Sequence, residues 1–340
     1  LHKQTSIVNI IIITLRSAFY FYFIDSLTIL LLLKIELIII LIWLFSLLLC
    51  FTIYLLLNPT TQKSISTEKN YKNRILKFTS YSSLNEIGAG IVGKTSDFFI
   101  IGAIANSYTL GLYSFAYKHF EYVFKLLPVK EVFSVIRPIF IQKFNDVSED
   151  DSEYTTTFNL FVKLLFPIYL FPALLFYIFG DEFISIVYKK EYLETYLVIV
   201  IMLVSNMVVS IAYPTTLVMI LKERMDISLI SKSIFFISII LGILGMQYLG
   251  LIGVVLATFM GDILRNMIIY FLLKRSCKLP YCFKNYWKFL ITIILLILIF
   301  KEYSNNINSI SELILLTLTF SLTYLIFNIF LNPLNNNDKS

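Results

Sequence analysis

Cysteine, histidine and charge are all scarce in this 340-residue chain. It contains three Cys and two His, and no two Cys stand at metal-ligand spacing with a His nearby. Neither a metal centre nor Cys/His catalysis therefore has the side chains it needs. Only 15% of the residues are charged and 58% are hydrophobic, whereas soluble domains are about a quarter charged. This composition excludes a soluble enzyme, a secreted disulfide scaffold and a disordered regulator, and it makes lipid the expected solvent.

Long apolar runs supply most of the predicted structure. A helix needs about 20 mostly apolar residues to cross a bilayer. Eight segments meet that requirement: 7–31, 37–57, 157–179, 193–221, 230–249, 251–273, 286–300 and 312–331.

Two further spans are predicted in segments 75–102 and 112–140. Their charged residues lower the mean hydropathy, so the spans are indicated instead by the angular positions of these residues around a helix. In each segment the charges gather on one helical face opposite an apolar face. The two stripes consist of Glu86, Lys94 and Asp97, and of Lys118, Glu121 and Lys125. A charged stripe on an apolar helix suits a protein interior or a water-filled cavity within a membrane. The sequence thus predicts an all-α polytopic membrane protein with about ten transmembrane helices.

Five prolines fall inside the predicted spans and predict kinks there. Each kink has two interpretations, a packing irregularity or a hinge for a moving helix, and the sequence does not choose between them. The five are Pro128, Pro138, Pro167, Pro172 and Pro214.

Loop charges predict the orientation. Sixteen of the 28 Lys and Arg residues fall in one alternating set of loops and four in the other. Because basic loops stay in the cytoplasm, both termini are predicted to be cytoplasmic. The longest loop, 58–74, is too short for a soluble domain, and the chain has no Gly-rich phosphate loop, which excludes an attached ATP-driven motor.

One motif resembles a known family. It runs from Gly90 through Lys94 and Asp97 to Gly102 and resumes at Leu110-Gly111-Leu-Tyr113-Ser-Phe-Ala116. The motif resembles the polysaccharide-biosynthesis transporters, the O-antigen and capsule flippases of the multidrug/oligosaccharidyl-lipid/polysaccharide exporter superfamily. An Asp near the end of one helix, a Gly after it, and Leu-Gly-x-Tyr opening the next helix carry the resemblance. Arg137-Pro138 and a span closing at Phe179-Gly180 look similar too.

The resemblance implies a domain organisation. Family members have twelve or fourteen spans in two six-helix lobes, and this motif opens the second lobe. We therefore expect the chain to be N-terminally truncated, a fragment that begins at the fifth span. In chain order, the resemblance implies four parts: 1–57, the last two helices of the first lobe; 58–74, a cytoplasmic linker; 75–273, the second lobe; and 274–340, two additional helices and a short tail.

The charges within the predicted spans are the candidate site residues. A charge at the centre of a bilayer costs at least about 2.5–3.5 kcal/mol, so each one needs a partner or water. Spacing allows ion pairs between neighbours on one helix, and such pairs either neutralise one another or face a cavity that holds an anionic headgroup. The candidates for substrate binding are Lys94, Asp97, Lys118, Glu121, Lys125 and Arg16, and those for structure or ion coupling are Glu86, Asp262 and Arg265. Arg16, with no acid nearby on its own helix, is expected to contact either another span or the substrate.

The resemblance implies a flippase that moves an undecaprenyl-pyrophosphate-linked oligosaccharide across the bacterial cytoplasmic membrane by alternating access. Its expected partners are the lipid-linked oligosaccharide, membrane lipids and the polysaccharide polymerase machinery. No nucleic acid, cofactor, metal or catalytic residue is expected. Two alternatives are a drug/cation antiporter of the same superfamily and a membrane glycosyltransferase or polymerase, although the short outer loops offer few catalytic groups for the latter.

Overall fold

The computed structural model describes residues 14–17, 19, 22, 28–57, 69–91, 94–127, 129–144, 152–276, 286–304, 307 and 309–331. Helices account for nearly all of these residues, and none of them lies in a strand. The protein is an all-α polytopic membrane protein, as the composition predicts.

Twelve α-helices are defined within the described part of the chain. They are α1 (Ile29–Leu57), α2 (Lys69–Ile91), α3 (Lys94–Ile104), α4 (Ser107–Leu126), α5 (Val129–Phe144), α6 (Ser152–Val187), α7 (Tyr196–Ile211), α8 (Tyr213–Leu221), α9 (Met225–Ser231), α10 (Ile234–Ser276), α11 (Tyr286–Ser304) and α12 (Ile310–Leu331). A 3₁₀ helix, Lys190–Thr195, joins α6 to α7.

Four stretches of the described chain are both long and apolar enough to cross a membrane: Thr156–Val187, Lys190–Leu221, Met225–Arg275 and Ile310–Phe330. The third of these, at 51 residues, is far longer than the roughly 20 residues one crossing requires. The predicted count of ten spans stays a prediction.

Helix α10 accounts for that length because it contains two helical arms. Gly250 stands between the arms with φ 60° and ψ −140°, a left-handed conformation that glycine adopts without a Cβ clash. The arms approach closely: a methyl group added to Gly245 would stand 2.5 Å from the carbonyl oxygen of Gly253. The two predicted spans 230–249 and 251–273 therefore form one helical hairpin that glycine makes possible.

Several predicted element boundaries were wrong. Helix α2 begins at Lys69, before the predicted segment 75–102, and residues 92–93 of that segment lie outside the described residues. The segment 112–140 holds two helices, α4 and α5, rather than one. Helix α4 is capped at its start by Asn106, whose Oδ1 accepts a 2.9 Å hydrogen bond from the Thr109 amide. It ends where Leu127 leaves helical geometry (ψ 127°), directly before Pro128, because a proline clashes with a helical residue at the position before it.

Helix α6 also extends beyond the expected boundary. It continues through Gly180 to Val187 rather than closing at Phe179-Gly180. A Cβ on Gly180 would lie 2.7 Å from the Phe176 ring and 3.0 Å from the Tyr196 ring. The glycine therefore serves close packing of α6 and α7 rather than helix termination.

The chain divides into two compact units, Leu1–Leu76 and Lys77–Ser340. In the first, α1 includes Lys34 and Glu36, which the sequence had assigned to a loop between spans. In the second, buried side chains from α3, α4, α6, α7 and α10 form the largest core, and residues of α6, α11 and α12 form another. The candidate site lies in the core that α3, α4, α6, α7 and α10 form.

Candidate functional site

A buried carboxylate marks the centre of the second unit. Asp97 lies in the first turn of α3 and is 3% exposed. Phe99, two residues later, is 74% exposed, so the helix turns its aspartate inward and its phenylalanine outward, as helical phase predicts. A carboxylate buried at such a position must be hydrogen-bonded or paired, because an unsatisfied charge in an apolar interior is very costly.

Two hydroxyl groups bind the two oxygens of Asp97. Tyr113 Oη of α4 donates a 2.9 Å hydrogen bond to Oδ2, and Thr258 Oγ1 of α10 donates a 2.8 Å bond to Oδ1. The carboxylate thereby connects α3 to the next helix, α4, and to α10, which is distant in sequence. Hydrogen bonds to a charged acceptor are about twice as strong as neutral ones, so this centre fixes how α3, α4 and α10 pack.

Aromatic packing holds Tyr113 in position for this bond. Its side chain is completely buried, and the ring of Phe98 meets it edge-on with centroids 4.8 Å apart. The Tyr117 ring stacks on the Tyr113 ring with centroids 6.5 Å apart and meets the Phe98 ring edge-on at 5.4 Å. Edge-to-face rings at such distances are attractive, which restricts where the phenol hydroxyl can point.

Beside Asp97 lies a small cavity of about 10 Å³, lined also by Tyr113, Met202, Ser205, Val255 and Thr258. This volume is close to the least that holds a single water molecule. On the lining, Ser205 Oγ donates a 3.1 Å hydrogen bond to Asp262 Oδ2. The cavity therefore stands between two carboxylates, Asp97 on one side and Asp262 behind Ser205.

Asp262 in turn faces Arg265, whose guanidinium nitrogen lies 3.7 Å from Asp262 Oδ1. The pair that i,i+3 spacing predicts thus forms, although at a distance too long for a hydrogen bond. The guanidinium also lies over the Phe235 ring, 5.7 Å from its centroid, a cation–π contact.

On α4, the second predicted stripe forms a continuous ion-pair chain. Glu121 lies between Lys118 and Lys125, at 3.0 Å from each ammonium nitrogen. The opposite face of the helix, with Leu112, Ala116 and Phe120, is buried. Each lysine is more than half exposed and the glutamate is 27% exposed, so the stripe lies at the surface of this unit. Both lysines are engaged by one carboxylate rather than presented as two unpaired cations.

A known protein family matches the part of the chain that contains Asp97 and most of the residues described above. The family model described as polysaccharide biosynthesis protein matches residues 8–197, which is more than half of the chain and includes Asp97, Tyr113 and the charges of α4. The chain belongs to the polysaccharide biosynthesis protein family. Searches of curated proteins and of solved structures find no match.

Three further predicted site residues of this polysaccharide biosynthesis protein are Arg16, Glu86 and Lys94. Arg16 pairs with Glu36 of α1, its Nε donating a 2.9 Å hydrogen bond to Glu36 Oε1, so of the two expected partners it contacts another helical segment. Glu86 is exposed on α2 and interacts electrostatically with Lys232. The backbone of Lys94 opens α3, but its side chain lies outside the described residues, and so does the predicted Lys94–Asp97 pair.

Sequence reasoning missed several polar groups of this family member. Tyr113 stands inside the recognised motif, but nothing in the motif indicates that its hydroxyl binds Asp97. Ser205 and Thr258 carry no charge and therefore gave no hydropathy signal. Lys163 and Asn159 are buried, 2% and 4% exposed, one helical turn apart on α6. A lysine and an asparagine four residues apart in an otherwise apolar span were the signal that could have identified them.

Proposed function

We propose that this protein is a flippase that moves lipid-linked oligosaccharide repeat units across the bacterial cytoplasmic membrane. The observation that carries the proposal is Asp97: a carboxylate buried where three helices meet, in a chain of the polysaccharide biosynthesis protein family. A buried ionisable residue within a membrane protein is by default a functional group, because the membrane makes it costly.

The proposed mechanism is alternating access, in which two helical walls open in turn to either side of the membrane. Asp97 would couple that motion to a cation, either a proton or a sodium ion, because a bound cation neutralises the charge of its carboxylate. The two hydroxyls on its oxygens come from α4 and α10. A change in the charge of Asp97 would therefore alter the attraction among three helices at once.

On this proposal the protein makes and breaks no covalent bond. Its substrate is the lipid-linked oligosaccharide, and the polymerase machinery that consumes the translocated repeat unit is an expected partner. We further propose that both termini face the cytoplasm, since sixteen Lys and Arg lie in loops of that side against four on the other.

Deletion of the gene in its host tests the proposal. A flippase deletion should abolish surface polysaccharide while lipid-linked repeat units accumulate in the inner leaflet. The natural gene should restore the polysaccharide. Asp97→Asn should not restore it, whereas Glu302→Gln, an exposed carboxylate of α11, should.

Three other outcomes of the deletion would contradict the proposal. Unchanged polysaccharide with increased drug sensitivity would indicate the antiporter. Loss of the lipid-linked unit itself would indicate an enzyme that acts before translocation. Accumulation of complete repeat units on the outer leaflet would indicate a polymerase.

A further inference from the structure

Two interruptions between consecutive helices flank one aromatic cluster. Helix α4 ends at Leu126 and α5 begins at Val129, while α7 ends at Ile211 and α8 begins at Tyr213. Pro128 and Pro214 lie at these two interruptions. Leu127 leaves helical geometry at the first interruption, and discontinuous helices are a recurrent mark of transporter substrate sites. At the second, Ala212 keeps right-handed helical dihedrals, so α7 and α8 are joined by a kink beside a proline.

Four rings connect the two interruptions, and we name them the aromatic cluster: Phe124 of α4, Phe133 of α5, Tyr169 of α6 and Tyr213 of α8. The Phe133 and Tyr213 centroids are 5.1 Å apart, those of Tyr169 and Tyr213 are 6.3 Å apart and stacked, and those of Phe124 and Tyr169 are 5.9 Å apart. The cluster is therefore continuous from one interrupted helix pair to the other.

Tyr169 gives the cluster a buried hydroxyl group that forms no hydrogen bond with the described residues. The residue is 2% exposed, and its hydroxyl oxygen is buried without a hydrogen-bond partner. The Tyr213 phenol lies beside it, but the two groups do not meet hydrogen-bond geometry. A buried hydroxyl left unsatisfied costs about 1–3 kcal/mol. A fold that only needed to fill this space would be more stable with phenylalanine.

The chemistry of the cluster matches a sugar ring. A pyranose has a flat face of C–H groups and a rim of hydroxyls, so it needs an aromatic face for the one and a hydrogen-bonding group for the other. Tyrosine offers both, an apolar ring with a polar end. Binding sites for small polar ligands combine mostly apolar walls with a few such polar groups.

We propose that the aromatic cluster binds a sugar ring of the lipid-linked oligosaccharide, an inference that rests on the proposed function. Tyr213 and Phe133, both half-buried, supply the ring faces, and the Tyr169 hydroxyl binds a sugar hydroxyl. Because Tyr169 is almost fully covered, the sugar reaches it only when the α4–α5 and α7–α8 pairs move apart. The observed arrangement is therefore the closed state of this subsite.

The test compares two ligands on the purified full chain in detergent. One is the repeat unit on its prenyl pyrophosphate, extracted from the gene-deletion strain, and the other is undecaprenyl pyrophosphate without sugar. Dissociation constants come from ligand-dependent shifts of the thermal unfolding midpoint. The native protein should bind the sugar-bearing ligand about tenfold or more tightly than the bare one, as a stacked ring and one hydrogen bond together predict.

Variants then assign that preference to the cluster. Tyr213→Leu should lower affinity for the sugar-bearing ligand about 3- to 10-fold, the loss expected for an aromatic contact, and leave affinity for the bare ligand unchanged. Tyr169→Phe should lower the same affinity about 3- to 10-fold, as loss of one hydrogen bond predicts. It should also leave the ligand-free protein equally or more stable. Tyr248→Leu, at a tyrosine that is 82% exposed outside the cluster, is the matched control and should change neither affinity.

Four other results would contradict the proposed sugar subsite. Equal affinity of the native protein for the two ligands would overturn the subsite and leave the flippase proposal standing, whereas binding of neither ligand would overturn both. A preference that survives both cluster variants would place the sugar elsewhere. Destabilisation of the ligand-free protein by Tyr169→Phe would show that the hydroxyl serves the fold, and it would remove the argument for a ligand.

Discussion

Tyr113 and Asp97, sixteen residues apart, meet through a 2.9 Å hydrogen bond in the interior of the second unit. The aspartate lies in the first turn of α3, and the tyrosine lies in the second turn of the next helix, α4. Both side chains are buried, so this hydrogen bond is shielded from bulk water. This bond therefore links the charge state of Asp97 directly to the packing of two helices.

Removing the phenol hydroxyl of Tyr113 should show how much that hydrogen bond contributes to the free energy of unfolding. Tyr113→Phe leaves one oxygen of a buried carboxylate without its donor, so the free energy of unfolding should fall by about 1–3 kcal/mol. The measurement is thermal unfolding in detergent. Tyr122→Phe, on the same helix at a tyrosine that is 61% exposed, should leave the midpoint unchanged. Equal midpoints for the native protein and Tyr113→Phe would contradict the structural role given to this bond.

Neutralising Asp97 should separate folding from transport. Asp97→Asn keeps the side-chain shape, and both hydroxyls can still form hydrogen bonds to the amide, so the protein should accumulate normally. A side chain without a charge cannot couple to a cation, so export of polysaccharide should fail. Immunoblotting and surface polysaccharide staining measure the two properties. Full export by Asp97→Asn would exclude this residue from coupling.

The ion-pair chain of α4 should be needed for charge balance rather than for substrate. Glu121→Gln leaves Lys118 and Lys125 without their shared partner, and we expect reduced accumulation in the membrane. The triple change to methionine at all three positions removes every charge and should restore accumulation and export, since no cation then needs compensation. Normal accumulation of the triple variant without export would instead assign the lysines to the substrate.

The α10 hairpin should have no room for a side chain where its two arms approach, at Gly245 and Gly253. A methyl group on Gly253 would overlap the backbone of Gly245, and neither backbone can move without opening the hairpin, so Gly253→Ala should lower stability by about 1–3 kcal/mol or more. Gly111→Ala is the control because nothing lies within 4 Å of the added methyl, and alanine favours a helix by about 0.5–1 kcal/mol. Unfolding midpoints of the two variants should therefore shift in opposite directions.

Thiol labelling tests the orientation. In a variant whose three native cysteines are replaced by serine, an impermeant maleimide on intact cells should label Asn106→Cys and fail to label Ser276→Cys. The reason is the excess of Lys and Arg in the loops on the Ser276 side. Permeabilised cells, in which both positions should react, are the control for accessibility. Labelling of Ser276→Cys on intact cells would reverse the predicted topology.

The sequence by itself determined the solvent, the helical class and the inward faces of individual helices. Composition alone requires lipid around most of the chain, because too few polar residues are available to cover it. The angular spacing of residues along a helix is fixed by local backbone geometry, so the inward position of Asp97 and the outward position of Phe99 followed from the sequence. The same local rule predicted that Lys118, Glu121 and Lys125 would meet.

Only the tertiary structure decided which distant groups meet. Thr258 binds Asp97 from 161 residues away, and Glu36 binds Arg16 from the next helical segment. Nothing in the spacing of either pair predicts the contact, because packing of one helix against another depends on the shapes of both surfaces. The crossing at Gly245 and Gly253 likewise arises from how neighbouring segments pack. Local periodicity thus fixed the direction in which each polar group points, and tertiary packing fixed the partner that it finds there.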